Sequence, residues 1–453
     1  MESIINTKLG THRGKRRIWI EGMKLLNGGY QAGLRFNIES DEGTLKIIPD
    51  REGKYTVSRR LRNGKTLPII DISVDIIAKM FEGIECLTIR ICEKVIEITG
   101  EYQQIQIVKR ESKVLEKLKN GFPLSSFCLF HGGGILSSAI HSGFLKAKLS
   151  TYVKYVNDQK SAFLESSLAN NVELFKSDTV IIDSPIELIQ RHNLRDVDFV
   201  IAGIPCVGAS RSGRSKNKIN CAEEHAKAGD LFYYFLDIVR TVNPAFLIIE
   251  NVYEYSRSVS MLVIRSVLNK LGYVVHETKI EGNAMGALEN RVRLGCIAVS
   301  RGLDNLDLNE IKPLREKESS LNDVLEYVAL DSPRWKDCDY LAKKEIKDKS
   351  DGKQFRRQIL TGNEPSVGVA GFGYSKYRST EPMIKHPTCD KVRLYTTIEN
   401  CKVKTVPEKI VHGLSNTAAA EVLGQGVIYT AFESLAYYLG LRLNSLINPI
   451  ELV

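Results

Sequence analysis

The sequence predicts an α/β protein. A parallel sheet covered on both faces is preceded by a small β-barrel-like domain and interrupted by an irregular module. Three observations carry this. From about residue 124 to 300, short and almost wholly apolar runs alternate with amphipathic helical stretches, the pattern of buried parallel strands and their crossovers. The first hundred residues instead read as strands and turns with apolar and polar side chains alternating. Between about 301 and 405 neither pattern holds, and charge clusters, scattered aromatics and a glycine-rich stretch take over. The 453 residues are 43% hydrophobic and 26% charged, which excludes disorder as a global description and supports two or three domains with cores of their own. No run approaches the roughly 18 apolar residues of a membrane span, and the N-terminus lacks an apolar signal stretch. Nine cysteines without a C-x-x-C pair argue against a disulfide scaffold and a zinc module. We expect a reducing, cytoplasmic compartment, no membrane partner and no metal.

In the N-terminal region, Ile18-Trp19-Ile20 leads into a short helix at Met23–Leu26, then a hairpin of Gly33–Ile38 and Leu45–Ile47 about the turn Asp41-Glu42-Gly43. About 50 residues later the phrase returns. Ile69-Ile70 precedes Val74–Ile77, Gly83-Ile84 and Leu87–Ile89, then a turn at Glu93-Lys94 and Val95–Ile98. Two copies suggest a small pseudo-symmetric β-barrel, whose pattern weakly resembles a fused, duplicated AbrB-like DNA-binding hairpin fold. Between the copies lies the basic turn 59–65, with Arg59, Arg60 and Arg62 as candidate phosphate contacts. Residues 1–65 hold 14 lysines and arginines against 7 acids, most of the net charge of +9, so a polyanionic partner is expected. A solvated basic face, or a barrel that merely docks on the rest, is the alternative. Residues 107–121 read as a charged linker helix ending at Gly121.

The apolar strands that follow are 127–130, 152–156, 180–182, 199–204 and 246–249, with a further pair, 273–275 and 294–299, suited to an antiparallel edge. Ligands on a parallel sheet bind beyond the carboxyl ends of its strands, so the residues there are the candidates. After the first strand comes Phe130-His131-Gly132-Gly133-Gly134 and a helix, a turn that lets backbone approach a cofactor. The second ends at Asn157-Asp158 and the third at Asp183-Ser184, polar groups able to hold ribose hydroxyls or a base edge, or simply to cap helices. The fourth ends in Pro205-Cys206 and the fifth in Glu250-Asn251-Val252. A thiol at a strand-to-loop transition, beside a carboxylate from the neighbouring strand, is an arrangement for covalent catalysis.

Taken together these motifs resemble the DNA (cytosine-5) methyltransferases, over roughly residues 124–300 and 410–441. The family's F-x-G-x-G turn matches Phe130, Gly132 and Gly134, its Pro-Cys motif Pro205 and Cys206, and its Glu-Asn-Val motif residues 250–252. Its Q-x-R-x-R motif matches at Arg291 and Arg293, and its closing G-N-x-V turn resembles Gly424-Gln425-Gly426-Val427. Three departures stand out. Cys128 replaces a usual acid, Asn157 or Asp158 must serve where the family uses an acid on the cofactor ribose, and Glu289 replaces the leading Gln.

The resemblance implies a methyltransferase (Rossmann-like) sheet over 122–300 completed by 406–453, with 301–405 as a target-recognition domain, 106–121 as linker and 1–105 as the basic β-domain. It implies S-adenosylmethionine as cofactor, bound by Phe130, Gly132, Gly134, Asn157, Asp158, Asp183, Ser184, Pro205, Gly426 and Val427. Cys206 becomes the nucleophile on carbon 6 of a flipped cytosine, Glu250 the group on ring nitrogen 3, and Arg291 and Arg293 cationic donors near the base. Ser210, Arg211, Ser212 and Arg214 follow the nucleophile and suit contact with double-stranded DNA. Lys376, Arg378, Lys385, Lys391 and Arg393, among aromatics, suit contact with phosphates and base edges. A cognate restriction endonuclease is an optional further partner. The same motifs occur in a tRNA-methylating branch, and a catalytically inactive, methyltransferase-like DNA-binding protein would share them too. The basic barrel and the long recognition segment favour duplex DNA.

Overall fold

In the computed structural model the described residues are 2–41, 43–62, 64–205, 223, 229–352 and 356–448. The chain divides into two compact units, Met1–Ser112 and Lys113–Val453.

The first unit contains β1 (Ser3–Lys8), β2 (Gly10–His12), β3 (Lys15–Glu21), α1 (Met23–Asn27), β4 (Arg35–Asp41), β5 (Thr44–Pro49), β6 (Tyr55–Thr56), β7 (Ser58–Arg62), β8 (Lys65–Ile72), α2 (Asp75–Met80), β9 (Cys86–Ile91) and β10 (Ile96–Gly100). They form a six-stranded sheet, β1-β9-β10-β5-β4-β6, and a four-stranded sheet, β2-β3-β8-β7. The inward side chains of both, among them Ile18, Ile20, Leu45, Ile47, Ile70, Ile72, Ile89 and Ile98, share one core. The repeat has a structural counterpart. Ile18 and Glu21 of the first copy correspond to Ile69 and Ile72 of the second, and the pairs Ile18↔Ile72 and Glu21↔Ile69 exchange under that correspondence. Likewise Ile96↔Ile47 exchanges with Ile98↔Leu45 about the central pair Glu97↔Lys46. The two halves therefore pair across a local twofold, each burying the isoleucine face that the other needs covered.

Helix α3 (Tyr102–Lys119) begins five residues before the charged stretch that marks it in the sequence. Its first turn carries few charges, and its start is fixed instead by the Glu101 carboxylate, which accepts from the N–H groups of Gln103 and Gln104. Its last turns belong to the second unit, where Lys113 and Lys117 grip the buried Asp198.

The second unit is built on β11 (Leu124–Leu129), α4 (Ile135–Lys146), β12 (Thr151–Asp158), α5 (Ser161–Asn170), β13 (Phe175–Asp183), β14 (Phe199–Gly203), α6 (Leu231–Val242), β15 (Phe246–Asn251), α7 (Val259–Lys270), β16 (Tyr273–Glu281) and β17 (Val292–Ser300). The sheet order is β13-β12-β11-β14-β15-β17-β16. The first five strands are parallel, and β17 runs antiparallel to both neighbours. An apolar cluster covers each face, so β11 is buried along its whole length, its serines Ser125 and Ser126 included, and Phe127–Leu129 is the apolar part that marks it in the sequence. Strand order reverses between β11 and β14, and it is beyond the carboxyl ends of strands at such a reversal that parallel α/β sheets bind their ligands.

The remaining elements are α8 (Asp339–Ser350), β18 (Gln358–Leu360), β19 (Pro382–Lys385), β20 (Val392–Arg393), α9 (Thr397–Val403), α10 (Asn416–Gln425) and α11 (Tyr429–Ser445). The irregular module has its own small core of Leu321, Trp335, Leu360, Tyr374, Ile384 and Tyr395. Helix α11 returns to lie along α4. Gly143 permits this approach, since a Cβ there would stand 2.3 Å from the Glu433 carbonyl oxygen. Among the described residues no helix is long and apolar enough to cross a membrane, and no cluster of three or more His, Cys, Asp or Glu could hold a metal ion.

Candidate active site

The loop from β11 to α4 has an unusual backbone. Phe130, Gly132 and Gly134 all have positive φ, 55°, 57° and 84°. For a bulky residue such as Phe130 this is a strained conformation that surrounding structure must enforce. The enforcement comes from β12: His131 N–H donates to the Asn157 carbonyl at 3.0 Å, and Gly132 N–H donates to Asp158 Oδ2 at 2.7 Å. The His131 ring sits between Ser137 Oγ and Ser167 Oγ at 3.0 and 2.8 Å. Burial draws its pKa down to about 4, so at neutral pH it is an uncharged strut. Nothing in the sequence marked this role except its place inside the turn.

One side of the turn is packed and the other open. A Cβ at Gly133 would strike Val422 of α10 at 2.4 Å, and one at Gly134 would meet Ser167 Oγ at 2.4 Å. At Gly132 it would meet nothing within 4 Å. A backbone N–H turn with one uncovered face, at the N-terminus of α4, fits a cofactor that must lie against main chain. Gly426 closes the far side, where a Cβ would be 2.4 Å from Ile135 Cδ1, and Val427 is buried in the core.

The two candidates after β12 have separate jobs. The Asn157 amide is buried and donates to the carbonyls of Ile182 and Ser184 at 2.9 and 2.7 Å. It ties β13 to β12, so its amide is committed to the main chain. Asp158 accepts the backbone N–H of Gly132 on Oδ2 and that of Lys160 on Oδ1, and as an ionised carboxylate it offers acceptor sites alone. Burial raises its pKa against the pull of those bonds. Asp183 is exposed and accepts from Ser161 Oγ, while Ser184 N–H is held by the Asp158 carbonyl. Cys128, where the family pattern has an acid, is fully buried, and burial lifts its thiol to about 11. It adds no charge to the site.

Glu250, the last residue but one of β15, stands directly beside Gly203 at the end of β14 in parallel register. A Cβ at Gly203 would lie 3.6 Å from Glu250 Oε2 and 3.8 Å from the Phe130 carbonyl oxygen. The carboxylate, the strained turn and the strand leading to Pro205 thus converge. Burial raises the Glu250 pKa, while Arg293 and then Arg291 oppose it; Arg293 Nε stands 2.9 Å from Oε1. A carboxyl group held between those influences can carry or share a proton. Asn251 has a second task that its motif does not reveal. Its amide donates to the Ile204 carbonyl at 3.1 Å, and its Oδ1 accepts from Val252 N–H, which fixes the chain just before Pro205.

Arg291 is buried, and its guanidinium donates to the Gly424 carbonyl at 2.9 Å. That contact joins the arginine motif to the closing turn. Arg393, a candidate phosphate contact by composition, is buried and bidentate to Glu399 at 2.6 and 2.8 Å, so its charge is committed to the module's interior. Arg59, Arg60 and Arg62 lie on β7, which is exposed along its length. Arg60 and Arg62 lean on Glu21 at 3.2 and 3.6 Å. Cys206, Ser210, Arg211, Ser212 and Arg214 lie outside the described residues.

The profile of the C-5 cytosine-specific DNA methylases matches residues 129–440. The type II methyltransferase M1.ScrFI of Lactococcus lactis subsp. cremoris is 22% identical over 258 residues, which are 55% of this chain and 64% of that protein. M.MspI of Moraxella sp is 24% identical over 251 residues, 55% of this chain and 57% of that one. The chain therefore spans less than two thirds of both relatives. M.HhaI of Haemophilus parahaemolyticus is 21% identical over 276 residues, 58% of this chain and 81% of that one. In fold the chain is similar to the S. pombe Dnmt2 methyltransferase, with TM-score 0.56 and 16% identity over 71% of this chain and 99% of that one. The Entamoeba histolytica methyltransferase EhMeth is alike, at TM-score 0.55 and 18% identity over 70% and 98%. With its motifs in family order on this sheet, the chain belongs to the C-5 cytosine-specific DNA methylases.

Proposed function

We propose that the protein is a DNA (cytosine-5-)-methyltransferase. The observation that carries this is the Glu250 carboxylate, gripped by Arg293 and set beside the Phe130 carbonyl and the strand leading to Pro205-Cys206. Carbon 5 of cytosine is a poor nucleophile, and covalent addition elsewhere on the ring lowers the barrier by splitting one hard step in two. Cys206, as thiolate, adds to carbon 6, while Glu250 hydrogen-bonds or protonates ring nitrogen 3. Electron density then reaches carbon 5. The Gly132 face and Asp158 would hold S-adenosylmethionine, which when bound would supply the methyl group as a sulfonium electrophile. Loss of the carbon 5 proton and departure of the Cys206 thiolate restore the ring. Arg293 keeps Glu250 in place and moderates its basicity, and Arg291 holds the closing turn. The target base must leave the duplex, at roughly a few kcal/mol, before the thiol can reach it.

Double-stranded DNA is the substrate this reading requires, with Ser210, Arg211 and Arg214 contacting it near the flipped base. The N-terminal unit offers a second basic surface. Its local twofold relates the β2–β3 and β7–β8 hairpins, whose turns pass through Gly14 and Gly64 at positive φ and lead into Lys15 and Lys65. Arg59, Arg60 and Arg62 line the second hairpin, and phosphate contact is the role their charge and exposure support. The type II names of the relatives support a place beside a restriction endonuclease that cuts the same sequence. Transfer of labelled methyl from S-adenosylmethionine to mixed-sequence duplex DNA, with tRNA alongside, tests the reading. Label at carbon 5 of cytosine in DNA is expected; label in tRNA alone, or in neither, would overturn it.

A further inference from the structure

Glu289 stands where the family pattern has Gln, and its side chain has no exposed surface. Facing it is Lys404, whose side chain is equally enclosed. Lysine is almost never fully buried without a partner. Here Lys404 Nζ pairs with Glu289 Oε2 and also donates to the Ala370 carbonyl at 3.1 Å. The same carboxylate accepts from Ala370 N–H at 3.2 Å, and Oε1 lies 3.5 Å from Arg291 Nη1. The main chain adds to this junction, with Glu289 N–H on the Val403 carbonyl and Asn290 N–H on the Val367 carbonyl. One buried carboxylate thus joins the arginine motif, the glycine-rich turn at 368–374 and the end of α9, three segments far apart in sequence. Two residues on, Arg291 reaches Gly424; four residues on, Arg293 holds Glu250.

We propose that Glu289 and Lys404 form a co-dependent positioning pair that sets the arginine motif in register, and through Arg293 the carboxylate of Glu250. The role of Glu250 rests on the methyltransferase reading; the pair itself does not. Leu288, Val367, Ala370 and Val403 already share an apolar cluster, so the segments have an adhesive that needs no charge. What a buried charge pair adds to such a cluster is a single permitted register. Gln at 289 would keep the Ala370 N–H contact but leave the Lys404 ammonium enclosed with no carboxylate. Burial already draws Lys404 down to about 8 against the pull of Glu289. The pocket therefore tolerates both charges or neither.

The test compares the full-length parent with Glu289→Gln, Lys404→Met and the double variant. Three quantities are read: methyl transfer to duplex DNA, the dissociation constant for S-adenosylmethionine, and Tm. Each single variant is expected to lose about tenfold or more in kcat, with cofactor affinity within about twofold of the parent, because breaking one half of a buried pair is the damaging step. The double variant is expected to recover to within about threefold of the parent. A Glu289→Gln enzyme as fast as the parent would overturn the proposal, as would a double variant no better than the singles. Proportional loss of kcat, cofactor affinity and Tm would reduce the pair to a fold support and would also overturn it. If the parent itself methylates no DNA, the methyltransferase reading fails, and Tm alone decides the pair: recovery in the double variant supports it, additive loss refutes it.

Discussion

Two glycines two residues apart in the β11–α4 turn should respond differently to the same added methyl group. Both have positive φ, 57° at Gly132 and 84° at Gly134, so alanine at either costs about 1–2 kcal/mol in backbone strain. At Gly134 a Cβ would also lie 2.4 Å from Ser167 Oγ, 2.9 Å from Asn171 Nδ2 and 3.0 Å from His131 Nε2. These are buried groups in a hydrogen-bonded cluster, and overpacking there adds about 1–3 kcal/mol. Gly134→Ala should therefore be destabilised by about 2–5 kcal/mol, or roughly 4–20 °C in Tm at about 2–4 °C per kcal/mol. Gly132→Ala meets nothing within 4 Å and should lose only about 2–8 °C. Its methyl group, however, projects from the uncovered face proposed for the cofactor, and a misfit there should weaken S-adenosylmethionine binding about tenfold or more. Thermal denaturation with and without cofactor, together with calorimetric titration, separates the two effects. Parent-like cofactor affinity in Gly132→Ala would refute the placement of the cofactor on that face. A Gly134→Ala protein as stable as the parent would refute the packing argument.

Other expectations follow from the same geometry. Glu250→Gln should lower kcat by roughly 10²–10⁴-fold, the usual weight of a positioned acid–base group, with cofactor affinity nearly unchanged; equal loss in both would remove Glu250 from the chemistry. Because burial raises the folded-state pKa of Glu250, the parent loses stability as pH climbs from the ordinary carboxylate value through the raised one, a slope that Glu250→Gln should lack in a pH series of Tm. His131 and His141 shift the other way, to about 4 and about 3, through burial. Stability should then fall as pH drops below about 6.5, by about 1.4 kcal/mol per pH unit for each ring, since the unfolded chain takes up protons that the folded one refuses. His141→Gln should flatten that decline, and an unchanged slope would show that the ring is protonated in the fold. Replacing Arg59, Arg60 and Arg62 together with Gln should make the salt dependence of DNA affinity shallower by up to about 2.7 in log–log slope; an identical slope would assign the N-terminal unit another task.

Much of the fold is legible because it rests on local pattern. Apolar runs mark β11, β12, β14 and β15, and the recurring phrase marks both halves of the N-terminal unit, since burial on one or two faces writes itself directly into the sequence. The start of α3 is not legible, because Glu101 caps a first turn of mostly uncharged residues. In the site, the glycine turn and Glu250 are visible as motifs, and the choice between Asn157 and Asp158 is not. The carbonyls of Ile182 and Ser184, which capture the Asn157 amide, are what favours Asp158 in the reading proposed above, and they come from the fold alone. Arg393 shows the same limit. In sequence it is one more cation among aromatics, while in the fold Glu399 and the face of Trp335 enclose it. Lys404 and Glu289 lie more than a hundred residues apart, and a pair of that kind leaves no periodic trace.

The most direct test of the covalent mechanism uses a duplex whose target cytosines carry fluorine at carbon 5. Fluorine cannot leave as a cation, so once the methyl group is transferred the ring cannot be restored and the thiol adduct persists. With S-adenosylmethionine present, the parent should form a denaturation-resistant protein–DNA complex whose cross-linked peptide contains Cys206, and Cys206→Ser should form none while still binding DNA. A complex formed equally by Cys206→Ser, or methyl transfer by the parent with no trapped species on any fluorinated site, would contradict the account.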